Sequence, residues 1–130
     1  MPVKGLPQSA IFSLSLDDDI LIISIRHSSF ARAESTEFST IFGDLRSRGY
    51  TKYVIDLTKC RFVSSEALGG IAFCWKWCYD EGNGLMSVVL PSSEGGEVRN
   101  LFEITGLRRT IGAAIQHSQS DAINYIREFA

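Results

Sequence analysis

Hydrophobic and polar positions alternate at the start of this chain. Ile11-Phe12-Ser13-Leu14-Ser15-Leu16 runs towards a period of two, Asp17-Asp18-Asp19 interrupts it, and Ile20-Leu21-Ile22-Ile23-Ser24-Ile25 resumes as a second run. Two such runs around a polar break predict a β-hairpin. From Glu34 to Arg48 the period changes: Phe38, Ile41, Phe42 and Leu45 recur at helical spacing, and Gly49 sits where a C-cap glycine belongs. Tyr53-Val54-Ile55-Asp56-Leu57 is a short, β-branched run that predicts a central strand. Ser64 to Tyr79 predicts a helix that ends near Glu81-Gly82-Asn83-Gly84, and Leu85 to Leu90 predicts a strand stopped by Pro91. A further helix is expected from about Ser93 to Ile104, closed by Thr105-Gly106. A weak strand from Ile111 to Ile115 and a terminal helix from Ser120 to Phe129, capped by Ser120 or Asp121, complete the pattern.

An opening hairpin followed by alternating strands and helices favours an α/β fold in which the later strands pair in parallel. At 130 residues the chain is expected to form a single domain, spanning 1–130 with its core at about 8–129. Net charge is −2 and no long basic run occurs, so the electrostatic footprint of a nucleic-acid binder is missing. The N-terminal segment has no continuous apolar h-region, and no apolar stretch approaches the ~20 residues of a membrane-spanning helix. Three cysteines, Cys60, Cys74 and Cys78, form no secretory or metal-binding framework, which fits a reducing, cytoplasmic compartment. No cofactor and no metal are expected. The acidic triplet is a solvated turn by this reading, because the positions that would continue a calcium loop are apolar.

The most informative segment joins the central strand to the second long helix. Tyr53 to Gly70 passes from a buried strand through a turn into a helix opened by Ser64-Ser65, so a hydroxyl stands at the positive end of a helix dipole. Serine is also an ordinary helix cap, with Ser64 at the N-cap and Glu66 favourable to the dipole. Winding the helix at about 100° per residue places Leu68, Ile71, Ala72, Trp75, Cys78 and Tyr79 on one face, the expected core stripe. Glu66, Gly69, Gly70, Phe73, Lys76 and Trp77 fall opposite, with Ser65 at the border. Phe73 and Trp77 are one turn apart and are expected to touch. Two large aromatics on the far side of an amphipathic helix mark a contact surface, unless a neighbouring element covers them.

Other residues that carry chemistry are weaker candidates. Cys74 and Cys78 are expected to be buried apolar residues, and His27 and His117 have no acidic or thiol partner in sequence. Asp56, in a buried strand, must find hydrogen-bond donors and is expected to help hold the loop that leads to Ser65. Ser92-Ser93-Glu94-Gly95-Gly96 lacks the lysine of a nucleoside-triphosphate loop, and Ser65 has no Gly-x-Ser-x-Gly elbow. No catalytic constellation emerges, so a non-enzyme is expected.

The strand, Phe62-Val63, the serine pair, Leu68-Gly69, and then Leu101-Phe102-Glu103-Ile104-Thr105-Gly106-Leu107 together resemble the STAS domain of bacterial anti-sigma-factor antagonists. That family carries hydrophobic-Asp-Ser-Ser/Thr-Gly-Leu-Gly at the helix start and Thr-Gly-Leu after the next helix. The resemblance implies an N-terminal β-hairpin, alternating βα units, a mixed sheet of about four to five strands, and about four helices lying chiefly on one side. It also implies a protein-interaction module for signal transduction and transcription regulation. The partner would be an anti-sigma factor that is also a serine protein kinase, and Ser65 would be the phosphoacceptor. Here Ser64, Glu66 and Ala67 stand where the family has Asp, Ser/Thr and Gly. The surface expected to dock is Ser64, Ser65, Glu66, Gly69, Phe73 and Trp77. The alternative is a constitutive STAS assembly or transporter-associated subunit without a phosphoswitch, Glu66 supplying a permanent charge; self-association is open in either case.

Overall fold

The computed structural model describes residues 9–80, 84–91, 102 and 112–129. Strands β1 (Phe12–Asp17) and β2 (Ile20–Ile25) form the hairpin, with Phe12 opposite Ile25 and Asp17 opposite Ile20. The acidic triplet is its turn: Asp18 takes a positive φ of 55°, a conformation that aspartate tolerates better than most residues. Its carboxylates are not idle. Arg127 bridges Asp17 and Asp18 at 2.5 and 3.0 Å, and Lys52 reaches Asp19 at 2.6 Å.

A two-residue strand β3 (Ser29–Phe30) leads into helix α1 (Arg32–Ser47). Glu34 accepts a hydrogen bond from the Ala31 backbone N–H at 2.9 Å, closing the helix start. Gly49, with φ 92°, ends it as the spacing predicts. Next come β4 (Lys52–Asp56), β5 (Phe62–Val63), helix α2 (Ser65–Asp80), β6 (Leu85–Val89), a 3₁₀ turn at Gly112–Ala114, β7 (Ile115–Gln116) and helix α3 (Gln119–Phe129). Phe102 is helical and fully buried, but the expected helix from Ser93 to Ile104 and the Thr105-Gly106-Leu107 motif otherwise lie outside the described residues. The weak strand forms at Ile115–Gln116, at the end of the predicted stretch.

The main sheet has the order β1-β2-β4-β6-β7, antiparallel only between β1 and β2. The short β3 and β5 form a separate parallel pair. Central parallel strands are buried on both faces, which is why they appear in sequence as continuous apolar runs. Leu21, Ile23, Ile25, Tyr53 and Ile55 face α1 and α2. Ile20, Ile22 and Val54 face the other way, against Ala122 and Ile126 of α3. Helices α1 and α2 therefore cover one face of the sheet and α3 the other.

Aromatic rings fill the larger core. Phe38 of α1 lies 6.0 Å from Phe12, 5.7 Å from Phe30 and 6.2 Å from Phe42 between ring centroids. Helices α1 and α2 meet at Gly70, where a Cβ would stand 3.5 Å from the Ser35 hydroxyl and 3.6 Å from the Phe38 ring. Ser35, buried there, donates its hydroxyl hydrogen to the Glu66 carbonyl at 3.2 Å, tying α1 to the first turn of α2.

Two sequence-based expectations need correction. The cap of α3 is Ser118, whose hydroxyl accepts from the Asp121 N–H at 3.1 Å, two residues before Ser120 and three before Asp121. In α2 the buried residues are Ala67, Leu68, Ile71, Cys74 and Cys78, whereas Trp75 is half-buried and Tyr79 is 38% exposed. The helix packs downwards on the sheet and sideways on α1 at once. Two contact directions turn the buried stripe towards Ala67 and Cys74, which a single-stripe reading cannot capture.

Candidate functional site

The path to the site begins at Asp56, the last residue of β4 and only 7% exposed. Its carboxylate accepts from the Thr58 N–H at 2.9 Å and from the Gln119 side-chain amide at 2.7 Å. The donors that a buried aspartate requires are thus present, and one of them shapes the loop leading on to Ser65. The loop continues through Cys60, buried, into β5. There the Ser64 N–H donates to the Phe30 carbonyl at 2.9 Å, so the small β3–β5 pair fixes where α2 begins.

Ser64 is the N-cap. Its hydroxyl accepts from the Ala67 N–H at 3.1 Å, and its carbonyl accepts from Leu68 N–H at 3.0 Å. Losing a capping hydroxyl costs about 1 kcal/mol. Ser64→Ala is accordingly expected to lower the melting midpoint by about 3 °C for a domain of this size, and an unchanged midpoint in a thermal scan would show the cap to be idle.

Ser65 follows as the first helical residue, exposed, with no hydrogen-bond partner for its hydroxyl among the described residues. Glu66 beside it is fully exposed. The backbone N–H of Glu66 itself holds that carboxyl below the usual range, with further help from the Ser64 hydroxyl and the charge of Arg32. A permanent negative charge therefore already occupies the anion-favouring mouth of α2. Gly69, one turn on, is exposed, and a Cβ there would meet nothing.

Phe73 lies on the same exposed side and is 56% exposed. Trp77 is half-buried and packs against the core. Both rings meet Phe42 of α1 edge-on, at 6.5 and 5.7 Å between centroids. The Arg46 guanidinium sits 5.6 to 5.7 Å from the centroids of Phe42, Phe73 and Trp77, within the range of cation–π attraction. Trp77 is thus chiefly a buttress joined to α1, and Phe73 presents the more exposed ring.

One exposed aromatic escaped the sequence reading. Phe62, in β5 two residues before the cap, is 48% exposed while its neighbour Val63 is buried. Strand alternation carries the signal: when Val63 points inwards, the residue before it must point out.

Cys60, Cys74 and Cys78 are all buried free thiols. Cys60 is pushed up to about 12 by burial, and burial likewise raises Cys74. Such thiols stay protonated and weakly nucleophilic. Among the described residues no three His, Cys, Asp or Glu side chains gather as metal ligands, and no helix is long and apolar enough to cross a membrane.

No protein-family model and no curated protein matches the chain. Solved structures do. An anti-sigma factor antagonist from Mycobacterium paratuberculosis superposes with a TM-score of 0.75 at 20% identity, over 89% of this chain and 92% of that one. A candidate anti-sigma factor antagonist from Thermotoga maritima gives 0.71 at 22% identity, over 91% and 96%. The Bacillus cell fate determinant SpoIIAA in its phosphorylated form gives 0.65 at 15% identity, over 89% and 99%. The hairpin, the mixed five-stranded sheet and the flanking helices are therefore those of the STAS fold, the fold of the anti-sigma factor antagonists.

Proposed function

We propose that this protein is a non-catalytic interaction module of the anti-sigma-factor-antagonist kind. It docks onto an anti-sigma factor that is also a serine kinase, through the surface around the start of α2. What carries the reading is the exposed Ser65 hydroxyl at a helix N-terminus, with no partner among the described residues, on a helix that also presents Phe73 to solvent. Ser64 and Glu66 flank the acceptor, Gly69 leaves room for a partner to approach the helix backbone, and Trp77 stiffens the aromatic patch from behind. Phe62 extends the apolar contact.

Phosphorylation of Ser65 works as the release step. A phosphate adds about −1.5 to −2 charge next to the ionised Glu66, and a contact made partly of apolar rings then has to bury or repel that charge. Arg32, which already acts on Glu66 electrostatically, supplies a partial offset.

The test is incubation with a candidate anti-sigma kinase and ATP, followed by pull-down and mass spectrometry. Modification is expected at Ser65, with loss of the complex; Ser65→Ala should stay bound and unmodified. Phe73→Ser is expected to weaken binding by about 2 kcal/mol, the scale of an interface hot spot. A stable complex with unmodified Ser65 in the presence of ATP discards the switch, and unchanged affinity of Phe73→Ser discards the docking surface.

The constitutive reading keeps one specific observation in its favour: Glu66 holds its charge at the helix mouth without any modification. Glu66→Ser separates the two. Under the constitutive reading partner affinity falls in the absence of ATP, and indifference to the substitution counts against a permanent-charge role for Glu66.

A further inference from the structure

Ser13 of β1, Ser24 of β2 and Asp56 of β4 are register partners across three adjacent strands. They form a polar row on the α3 side of the sheet, one step beyond the apolar positions Ile22 and Val54 that α3 covers. The row floors a cleft of about 460 Å³ at the carboxyl ends of the parallel strands β2 and β4, walled by Arg26, Thr58, Lys59 and Gln119. Clefts of about 300 to 1,000 Å³ hold small ligands, and in open α/β sheets ligands bind at the carboxyl ends of strands.

The chemistry of the walls is specific. Arg26 and Lys59 are both exposed and neither enters an ion pair among the described residues. Two exposed cations at one mouth suit a phosphate, which the guanidinium fork matches in geometry. Deeper in, Asp56 accepts one hydrogen bond at each carboxylate oxygen, from Thr58 and Gln119. Each oxygen retains a further lone pair, so the carboxylate can still accept from a ligand hydroxyl. Ser13 and Ser24 add hydroxyls that donate or accept. No aromatic side chain lines the cleft, so a nucleobase would find nothing to stack on.

We propose that this cleft binds a small phosphorylated sugar or polyol, with its phosphate between Arg26 and Lys59 and a hydroxyl on Asp56. The row lies on the sheet face opposite α2, away from the docking surface.

Amide NMR of the full chain during titration with ribose 5-phosphate tests it, with inorganic phosphate, ribose and AMP as comparison probes. Saturable shifts are expected at Ser24, Asp56 and Thr58. Ribose 5-phosphate should bind at least about tenfold more tightly than inorganic phosphate or ribose, a gap of roughly 1.4 kcal/mol, and AMP no more tightly than ribose 5-phosphate. The double variant Arg26→Gln, Lys59→Gln changes only exposed positions and should lose about tenfold or more in affinity for ribose 5-phosphate. Asp56→Asn should reduce ribose 5-phosphate to the affinity of inorganic phosphate. The proposal is overturned by absence of saturable shifts with every probe, by equal affinity for ribose 5-phosphate and inorganic phosphate, by tighter AMP binding, or by indifference to the double variant.

Discussion

Phe38→Ala is expected to remove about 4 kcal/mol of stability, the usual scale for truncating a fully buried phenylalanine. Phe38 is 1% exposed and its ring touches three others, from β1, β3 and α1 itself. Deleting it leaves a cavity bounded by Phe12, Phe30 and Phe42, none of which can collapse without leaving its own contacts. Domains of this size have about 5 to 15 kcal/mol in total, so the variant should stand near the edge of folding. The damage should also spread to the site. Phe30 carries the carbonyl that receives the Ser64 N–H, so a loosened Phe30 frees the start of α2. Urea unfolding followed by circular dichroism measures the loss, and a cost below about 1 kcal/mol would mean that the cluster repacks. Phe38→Leu, which keeps most of the volume, should cost much less.

Gly84→Ala is the second large effect, at about 3 kcal/mol, the upper end of overpacking costs. A Cβ on Gly84 would overlap the Thr51 carbonyl oxygen and stand 2.8 Å from its carbon. Neither backbone has freedom to yield. The Gly84 N–H donates to Cys78 at the end of α2 at 2.7 Å, and the Thr51 carbonyl accepts from Leu85 at 2.9 Å, where β6 joins β4. The clash therefore forces apart either the α2 terminus or the sheet. Gly43→Ala is the matching control: that position is inside α1 with open space around it, and alanine there should add up to about 1 kcal/mol through helix propensity. Similar unfolding midpoints for the two variants would refute the steric account.

Much of this architecture was legible because each element is locally consistent. The hairpin follows from alternation around the acidic triplet, and α1 from Phe38, Ile41, Phe42 and Leu45 with Gly49 as its stop. The Ser64 cap follows from residue type alone. What stayed hidden depends on partners far away in the chain. Nothing in the α3 pattern says which face of the sheet its apolar stripe covers; its seat opposite α1 and α2 follows from Ile20, Ile22 and Val54 being apolar in excess of what one face needs. Asp56 showed its need for donors, but its partner Gln119 lies 63 positions on. The β3–β5 pair is too short to have a period, so Phe62 went unnoticed as a surface ring. In α2 the helix was evident, whereas the rotation that buries Cys74 and exposes Tyr79 depends on α1 pressing from the side.

The guanidinium of Arg46, lodged among Phe42, Phe73 and Trp77, sets a rule for whatever approaches that patch. The electron-rich faces which would welcome a lysine or arginine are already engaged by the chain's own cation, and an arriving basic group would also meet like charge. Visitors should therefore bring aliphatic or acidic side chains. A peptide array scored for binding should favour leucine and glutamate over lysine at the anchoring position, and Arg46→Met should relax that preference.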